Sequence, residues 1–151
     1  MPQSLAQIYL HIVFSTKRRR PFLRDASVRR DMHHYIAGIC HHADSPAIEV
    51  GGVEDHVHVL CRLAKTQAVS DLMRTLKQSS TTWAKQTHPS LSNFYWQRGY
   101  GAFSISPGHV DDLRRYIQDQ EQHHKGVSFQ DEFRRLCVKY GVQLDERYAW
   151  D

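Results

Sequence analysis

Residues 47–63 read AIEVGGVEDHVHVLCRL, and this stretch predicts a β-hairpin. Residues 47–53 and 56–63 form its two strands, with Glu54 and Asp55 as a tight turn between them. Gly51 and Gly52 are poor strand residues, so we expect a bulge or a close approach of another backbone there. The hairpin supplies two neighbouring antiparallel strands around which the flanking segments can be arranged.

The segment before the hairpin predicts one strand and one helix. Residues 5–15 alternate as a strand does, with Ile8, Leu10, Ile12 and Phe14 on one face and Tyr9, His11 and Val13 on the other. Asp25 can cap a helix whose apolar stripe consists of Val28, Met32, Tyr35, Ile36 and Ile39.

The segment after the hairpin predicts a second helix and a last strand. Ser70 is expected to cap the helix, which turns Leu72, Met73, Leu76 and Trp83 inward and places Arg74, Lys77 and Lys85 on its opposite side. Residues 94–105 are expected to hold the strand, interrupted near Gly99 and Gly101.

Two more helices are predicted at the carboxyl end of the chain. Ser106 and Pro107 favour the start of a helix that runs to about His124. Residues 128–131, Ser-Phe-Gln-Asp, form a capping box that opens the final helix, which ends at Gly141 and turns Phe133, Leu136, Cys137 and Tyr140 inward.

The predicted order is β-α-β-β-α-β followed by two helices, which is typical of the ferredoxin-like α+β fold. In this arrangement a four-stranded antiparallel sheet carries helices on one face. No linker or repeat interrupts the chain, so we expect one domain over residues 1–151. Because many functions occur on this fold, it does not by itself indicate a chemistry.

Composition narrows the classes of protein that the chain can belong to. The 151 residues carry 20 Lys and Arg against 16 Asp and Glu, a net charge of +4, and no apolar run is long enough to span a bilayer. Cys40, Cys61 and Cys137 form no CxxC pair, which argues against a disulfide framework or a zinc knuckle. With no signal-peptide pattern, we expect a cytoplasmic protein, and its sequence pI of about 9.1 favours an anionic partner.

His56 and His58 are the first candidates for chemistry. Alternate residues of a strand point to the same face, so the two imidazoles are expected to project together. Two neutral imidazoles at this spacing can share one divalent metal ion. The alternative is a pair of half-exposed polar side chains on the open face of the sheet, which needs no metal.

Tyr116 and Gln120 are the second candidates. They lie four residues apart, along one flank of the apolar stripe of a predicted helix. A tyrosine beside a metal can attack phosphorus, and an amide oxygen suits Mg²⁺ or Mn²⁺. The alternative places a tyrosine at the edge of the core and a glutamine in solvent.

Taken together, these motifs resemble the single-tyrosine HUH transposases of the insertion-sequence 200/605 family. The resemblance extends over nearly the whole chain and lies in four segments: residues 9–22, which begin YLHIVFSTK and end RPF, residues 52–60 (GVEDHVHVL), residues 96–104 (WQRGYGAFS) and residues 115–121 (RYIQDQE). The order and spacing of these segments match those of the family.

The resemblance implies a mechanism and a set of site residues. His56, His58 and Gln120 would bind one Mg²⁺ or Mn²⁺ ion, and Tyr116 would attack single-stranded DNA to give a 5′-phosphotyrosine and a free 3′-OH. Family members act as homodimers, recognise imperfect hairpins near the ends of the element, and can place the tyrosine helix in the partner's site. Here the Lys125-Gly126 segment would permit such an exchange.

Contacts to DNA phosphates are expected from the basic loop after the first strand and from one side of the second helix. The candidate residues are Lys17, Arg18, Arg19, Arg20, Arg74, Lys77 and Lys85. For any single one of them, a solvated surface charge is an equally good interpretation. We interpret His123 and His124 as exposed histidines at a helix end, whereas Asp55 either orients His56 or only forms the turn.

Three other functions are compatible with the sequence. A host-adopted relative would nick repeated hairpins without mobilising an element, and its site would be the same. A ferredoxin-like nucleic-acid-binding module would bind hairpins without catalysis. A metallohydrolase would use bound water and tolerate loss of the Tyr116 hydroxyl. A transposase that uses Tyr116, in the nucleoid of a prokaryotic cytoplasm, is the leading hypothesis.

Overall fold

A computed structural model describes residues 2–151 of the chain. Four antiparallel strands form one sheet in the order β2-β3-β1-β4. The strands are β1 (Tyr9–Ser15), β2 (Ala47–Gly52), β3 (His56–Arg62) and β4 (Gly101–Ile105), and the helices are α1 (Ala26–His42), α2 (Val69–Thr87), α3 (Val110–Gln118), α4 (Gln120–His123) and α5 (Phe129–Tyr140). The order of the elements and of the strands confirms the predicted ferredoxin-like fold.

Side chains along β1 point alternately to the two faces of the sheet. Leu10, Ile12 and Phe14 are buried in the core that α1 and α2 cover. Val13 belongs instead to a second apolar cluster beneath α5, and His11 on the same face is also fully buried. Helices therefore cover both faces of the sheet, whereas the sequence had predicted helices on one face only.

The central strand β3 places its two histidines on the face that α5 covers. Val57, Val59 and Cys61 lie in the core against α1 and α2, so His56 and His58 point the opposite way. Both histidines are fully buried, which excludes the alternative of half-exposed side chains on an open face. The strand alternation thus directs two imidazoles into the interior.

Three helix-end predictions are confirmed and one is wrong. The Asp25 side chain accepts hydrogen bonds from the first turn of α1, Ser128 caps α5, and Gly141 ends α5 in the left-handed conformation. Ser70, however, lies inside α2, which begins at Val69 and has no side-chain cap. The segment therefore enters the helix earlier than the capping pattern predicted.

The last strand is shorter than predicted. An isolated bridge joins Trp96 to Thr16, and the Gln97 N–H donates to the Ser15 carbonyl at 2.9 Å, but regular pairing does not continue through residues 98–100. The Gln97 side chain accepts from the Ser15 backbone N–H at 2.8 Å in place of a strand neighbour. The Lys77 ammonium donates to the carbonyls of residues 97, 98 and 99 at 2.7–2.9 Å. Regular pairing with β1 consequently begins only at Gly101.

The expected close backbone approach occurs at Gly51. A Cβ atom there would lie 2.7 Å from both the carbonyl oxygen and the Cγ2 atom of Ile117. The irregular register of β2 lies elsewhere, between Ala47 and Glu49. Gly51 thus lets α3 pack directly onto β2, and this contact sets the position of Tyr116.

The predicted helix over 107–124 is broken. Pro107–His109 form a 3-10 turn before α3, and Asp119, at φ −93° and ψ 14°, separates α3 from α4. Within residues 2–151, no helix is long and apolar enough to cross a membrane.

Candidate active site

The imidazoles of His56 and His58 are held in place by groups behind them. Nδ1 of His56 lies 2.7 Å from Oδ1 of Asp55, so Asp55 orients this ring as well as forming the turn. Nδ1 of His58 lies 2.8 Å from Nε2 of His11, and Nδ1 of His11 lies 3.2 Å from the Tyr140 hydroxyl. Since both Nδ1 atoms have partners, the Nε2 atoms point toward a common centre.

Glu132 of α5 occupies that centre. Its Oε1 atom lies 3.1 Å from Nε2 of His56, 2.9 Å from Nε2 of His58 and 3.1 Å from Nε2 of His124. The four residues offer ligand atoms that all lie within 4.8 Å of one another. Neither Glu132 nor His124 belonged to the predicted metal site, and the interpretation of His124 as an exposed histidine is wrong, because its side chain is 7% exposed.

Tyr116 and Gln120 reach the same cluster from α3 and α4. The Tyr116 hydroxyl donates a hydrogen bond to Oε2 of Glu132. The Gln120 amide donates to that oxygen at 2.9 Å, and its Oε1 atom lies 3.0 Å from Nε2 of His56. Gln120 is buried rather than solvated. All four residues of the predicted site therefore meet within one chain, despite the helix break at Asp119.

The hydrogen bonds of the cluster leave a place for a cation. Nδ1 of His56 donates to Asp55, and Nδ1 of His124 donates to the carbonyl of Val127. When these imidazoles are neutral, their Nε2 lone pairs face the oxygens of Glu132. Both groups are hydrogen-bond acceptors, so they repel each other. Either a proton or a shared cation removes this repulsion, and imidazole nitrogens with a carboxylate and an amide oxygen suit a divalent metal ion.

The charges of the cluster shift the pKa values of its members. Burial lowers the pKa of His56, but the carboxylates of Asp55 and Glu132 outweigh it and raise the value to about 9. Burial would raise the pKa of the Glu132 carboxyl, yet hydrogen bonds from the three imidazoles hold it below its usual range. Burial and the neighbouring Glu132 carboxylate raise the pKa of Tyr116, so the phenol stays protonated here.

Three of the four basic-loop residues that the sequence predicted to contact DNA lie close together. Lys17, Arg18 and Arg20 line a cavity of about 250 Å³ that also contacts Phe22, Asn93 and Tyr95. Arg19 is turned away, and its guanidinium donates to the carbonyl of Trp150 at 2.7 Å. Arg18 and Arg19 both have positive φ angles, 56° and 53°, so this loop holds its charges in a defined turn.

The three predicted cations of α2 lie in different surroundings. The Lys85 ammonium lies 3.6 Å from the ring centroid of Tyr95, next to the cavity of the basic loop. Arg74 is exposed and pairs with Asp71. Lys77 uses its ammonium on backbone carbonyls, as described above, and so offers little to a phosphate.

The fold and this cluster define a class of protein, a ferredoxin-like core with a candidate metal site of histidines and a carboxylate. More narrowly, residues 4–120 match the family of IS200-like transposases, and the chain belongs to that family. The match ends at Gln120, so His124 and all of α5 lie beyond it.

Solved structures agree on the fold. A transposase candidate from Deinococcus radiodurans is 18% identical, with a TM-score of 0.63 over 80% of this chain and 95% of its own. A REP-associated tyrosine transposase bound to a REP hairpin is 16% identical, with a TM-score of 0.60 over 95% of this chain and 87% of its own. No curated protein matches the chain.

Glu132 was missed although the sequence contains a signal for it. It lies three residues after Phe129 and four before Leu136, both of which are buried on the inward face of α5. A carboxylate inside the apolar stripe of an amphipathic helix needs a charged or hydrogen-bonding partner. The stripe therefore indicated a buried acid, although it did not identify the histidines as its partners.

Proposed function

We propose that the protein is a single-stranded DNA transposase that cuts and rejoins strands through Tyr116. The observation that carries the proposal is the position of the Tyr116 hydroxyl. The hydroxyl contacts the Glu132 carboxylate, which His56 and His58 also contact. These two histidines are the residues best suited to hold a metal ion next to a phosphate. Membership of the IS200-like family supports a transposase over other enzymes on this fold.

In the proposed reaction the phenolic oxygen of Tyr116 attacks the scissile phosphorus. A bond forms between this oxygen and phosphorus, the bond from phosphorus to the 3′-oxygen breaks, and the 3′-oxygen leaves with a proton. The product is a 5′-phosphotyrosine, which a second DNA 3′-OH can attack to rejoin strands without ATP.

His56, His58 and Gln120 would hold a divalent ion, Mg²⁺ or Mn²⁺, with Glu132 and His124 as further donors. When bound, the ion polarises the scissile phosphate and offsets the charge that develops on it. Asp55 and His11 would keep the two strand imidazoles aimed at it, since each contacts the Nδ1 atom opposite the ligating Nε2.

We further propose that the DNA partner is a single strand with imperfect hairpins. The cavity formed by Lys17, Arg18 and Arg20, with Tyr95 and Lys85 beside it, combines cations with an aromatic ring, as single-strand sites do. Such a protein would work on the nucleoid. A host-adopted role in processing repeated hairpins is the second candidate, favoured by the fold likeness to the hairpin-bound transposase.

The family resemblance also leads us to propose a homodimer. In this structure Tyr116 meets the histidines of its own chain. Exchange of Tyr116 between subunits would require movement around Lys125 and Gly126. A mixed dimer of His56→Ala with Tyr116→Phe tests the exchange, because only a trans arrangement gives it more cleavage than either parent.

A denaturing protein gel tests the proposed reaction. Wild type, Tyr116→Phe and the exposed control Tyr148→Phe are each incubated with labelled single strands that carry the flanks of the gene, with and without Mn²⁺ or Mg²⁺. We expect metal-dependent label on wild type and Tyr148→Phe, and none on Tyr116→Phe. Free cleaved DNA from all three proteins would indicate a water-activating hydrolase, and a gel shift without product would indicate a binding module.

A further inference from the structure

A cavity of about 790 Å³ lies beside the candidate nucleophile, between the end of β4, α3 and α5. Tyr116 and Glu132 line this cavity, and Glu132 also belongs to the candidate metal cluster. The cavity therefore opens directly onto the reacting group. Its size falls within the range of roughly 300–1,000 Å³ that is typical of small-molecule sites.

The walls of the cavity are apolar and aromatic. Ile105, Leu113, Leu136 and Tyr140 contribute to them. The Tyr140 ring is fixed, since it stacks on Phe103 with centroids 4.5 Å apart and planes inclined by 7°. Rigid apolar walls of this kind suit the flat face of a nucleobase.

The rim of the cavity is cationic. Arg135 and Lys139 lie four residues apart on α5, both exposed, and in the part of the chain that the structure describes neither forms an ion pair. The acidic residue on the rim, Asp112, is paired with Arg115. The rim thus offers two free positive charges next to a binding space for an apolar ring.

We propose that this cavity binds the nucleotide on the 3′ side of the scissile phosphate, with its base against the apolar walls and the next phosphate on Arg135 and Lys139. This inference rests on the proposed function, because in that reaction the 3′-side nucleotide stays bonded to Tyr116 through its 5′-phosphate. The leaving 3′-oxygen departs on the side opposite the tyrosine oxygen. Only the retained nucleotide is therefore tied to the residue that lines the cavity.

Charge and continuity favour a nucleotide over other occupants. A purely apolar ligand would leave Arg135 and Lys139 without a role, and a protein helix would not require an opening onto Tyr116. A single strand uses all three features at once: the apolar walls, the cations and the junction with the nucleophile. The second basic cavity, around Lys17, is separate and is available for the hairpin.

The test measures binding and contact position in a background that cannot cleave. Tyr116→Phe is combined with Arg135→Ala and Lys139→Ala, or with the control pair Arg30→Ala and Arg62→Ala, which removes the same charge from α1 and the far end of β3. The probe is fluorescein-labelled (dT)₁₂, in a second form with one internal 4-thiothymidine for crosslinking. All four changed arginine and lysine residues are exposed, and thermal melting confirms that each variant is folded.

We expect the α5 pair to weaken (dT)₁₂ binding by roughly tenfold or more at 0.1 M salt. We also expect it to lower the slope of log K against log salt by about 0.7, because the two cations contact one phosphate and each phosphate contact on a single strand contributes about 0.7. The control pair is expected to weaken binding less than threefold. Crosslinks are expected at Tyr140, at its neighbours on α5, or at residues 105–109.

Equal losses for the two pairs, or crosslinks confined to the Lys17 loop and Tyr95, would overturn the inference. The labelled-adduct gel separates this failure from failure of the proposed function. If the adduct forms but the α5 pair binds and crosslinks as the control does, only the cavity assignment is wrong. If no adduct forms while crosslinks map to the cavity, the cavity binds a single strand and the tyrosine chemistry is wrong.

Discussion

The Tyr116 hydroxyl donates a hydrogen bond to the same carboxylate, Glu132, whose other oxygen contacts the imidazoles of His56 and His58. One acidic side chain of α5 thus joins α3, which carries Tyr116, to the central strand β3. A buried carboxylate is stable only with such partners. The site is therefore incomplete without α5, although the family match ends before it.

Glu132→Gln is expected to weaken Mn²⁺ binding by roughly 10- to 100-fold. The substitution keeps the shape of the side chain but removes the negative charge nearest the three imidazoles, and losses of this size are found when even groups outside the ligand set are changed. Calorimetric titration of Mn²⁺ into the free protein measures the affinity without any reaction. The matched control is Glu121→Gln, an exposed acid on α4 that pairs with Arg29. Equal affinities for Glu132→Gln and wild type would remove Glu132 from the metal site.

Mn²⁺ is expected to bind at least about tenfold more tightly than Mg²⁺. His56, His58 and His124 supply three nitrogen donors, whereas Mg²⁺ prefers an octahedron of oxygens and retains its waters. Competition titrations, in which Mg²⁺ displaces Mn²⁺ under detection by electron paramagnetic resonance, give the ratio directly. Equal affinities would indicate that the ion is bound by oxygens and that the imidazoles serve another purpose.

Asp55→Asn is expected to lower metal affinity by about tenfold without changing any ligand. Asp55 accepts from Nδ1 of His56 at 2.7 Å, which fixes the ring with Nε2 aimed at the cluster. The neighbouring Glu54 is exposed, so Glu54→Gln is a control within the same turn. We expect wild type and Glu54→Gln to bind Mn²⁺ equally tightly, and Asp55→Asn to bind it more weakly. A normal affinity for Asp55→Asn would mean that Asp55 only shapes the turn.

The predicted parts of the site came from two sources. Strand alternation places His56 and His58 on one face. The roles of Tyr116 and Gln120 came from the family resemblance, and a helix break at Asp119 separates the two residues. Glu132 lies beyond this kind of reasoning. Its partner residues lie on elements far away along the chain. Only the packing of α5 on the sheet brings Glu132 next to them.

Lys77 illustrates the same limit on the surface of the protein. Helical spacing predicted a position opposite the buried stripe of α2, but Lys77 is half-buried, with its ammonium 5.9 Å from the centre of the core ring Phe14. Spacing also does not reveal which loop crosses that side. The backbone of residues 97–99 crosses there, and its carbonyls accept hydrogen bonds from the Lys77 ammonium. The predicted start of the last strand was wrong for the same reason, because Lys77 binds the carbonyls of residues 97–99 and regular pairing with β1 begins only at Gly101.

Lys77→Met is expected to destabilise the fold by about 2–3 kcal/mol. The substitution retains most of the apolar stem but removes the donor from three carbonyls, and hydrogen bonds from a charged donor are among the stronger ones. Arg74→Met on the same helix removes only an exposed pair with Asp71, so a change of no more than about 0.5 kcal/mol is expected. Urea unfolding measures both. A Lys77→Met midpoint equal to that of Arg74→Met would show that water satisfies the three carbonyls equally well.

His33 is expected to contribute to loss of stability in acid. Burial, and then the nearby charge of Arg29, lower its pKa from 6.5 to about 4, with smaller effects from His34, Glu121 and His56. The unfolded chain binds the His33 proton below about pH 6.5, whereas the folded protein binds it only near pH 4, so stability rises with pH between these values. His33→Gln should flatten this part of the profile, by up to about 3 kcal/mol between pH 7 and 4. Urea unfolding of both metal-free proteins across this range measures the difference, with the exposed His34→Gln as control. Parallel profiles for wild type and His33→Gln would show that His33 titrates as it does in the unfolded chain.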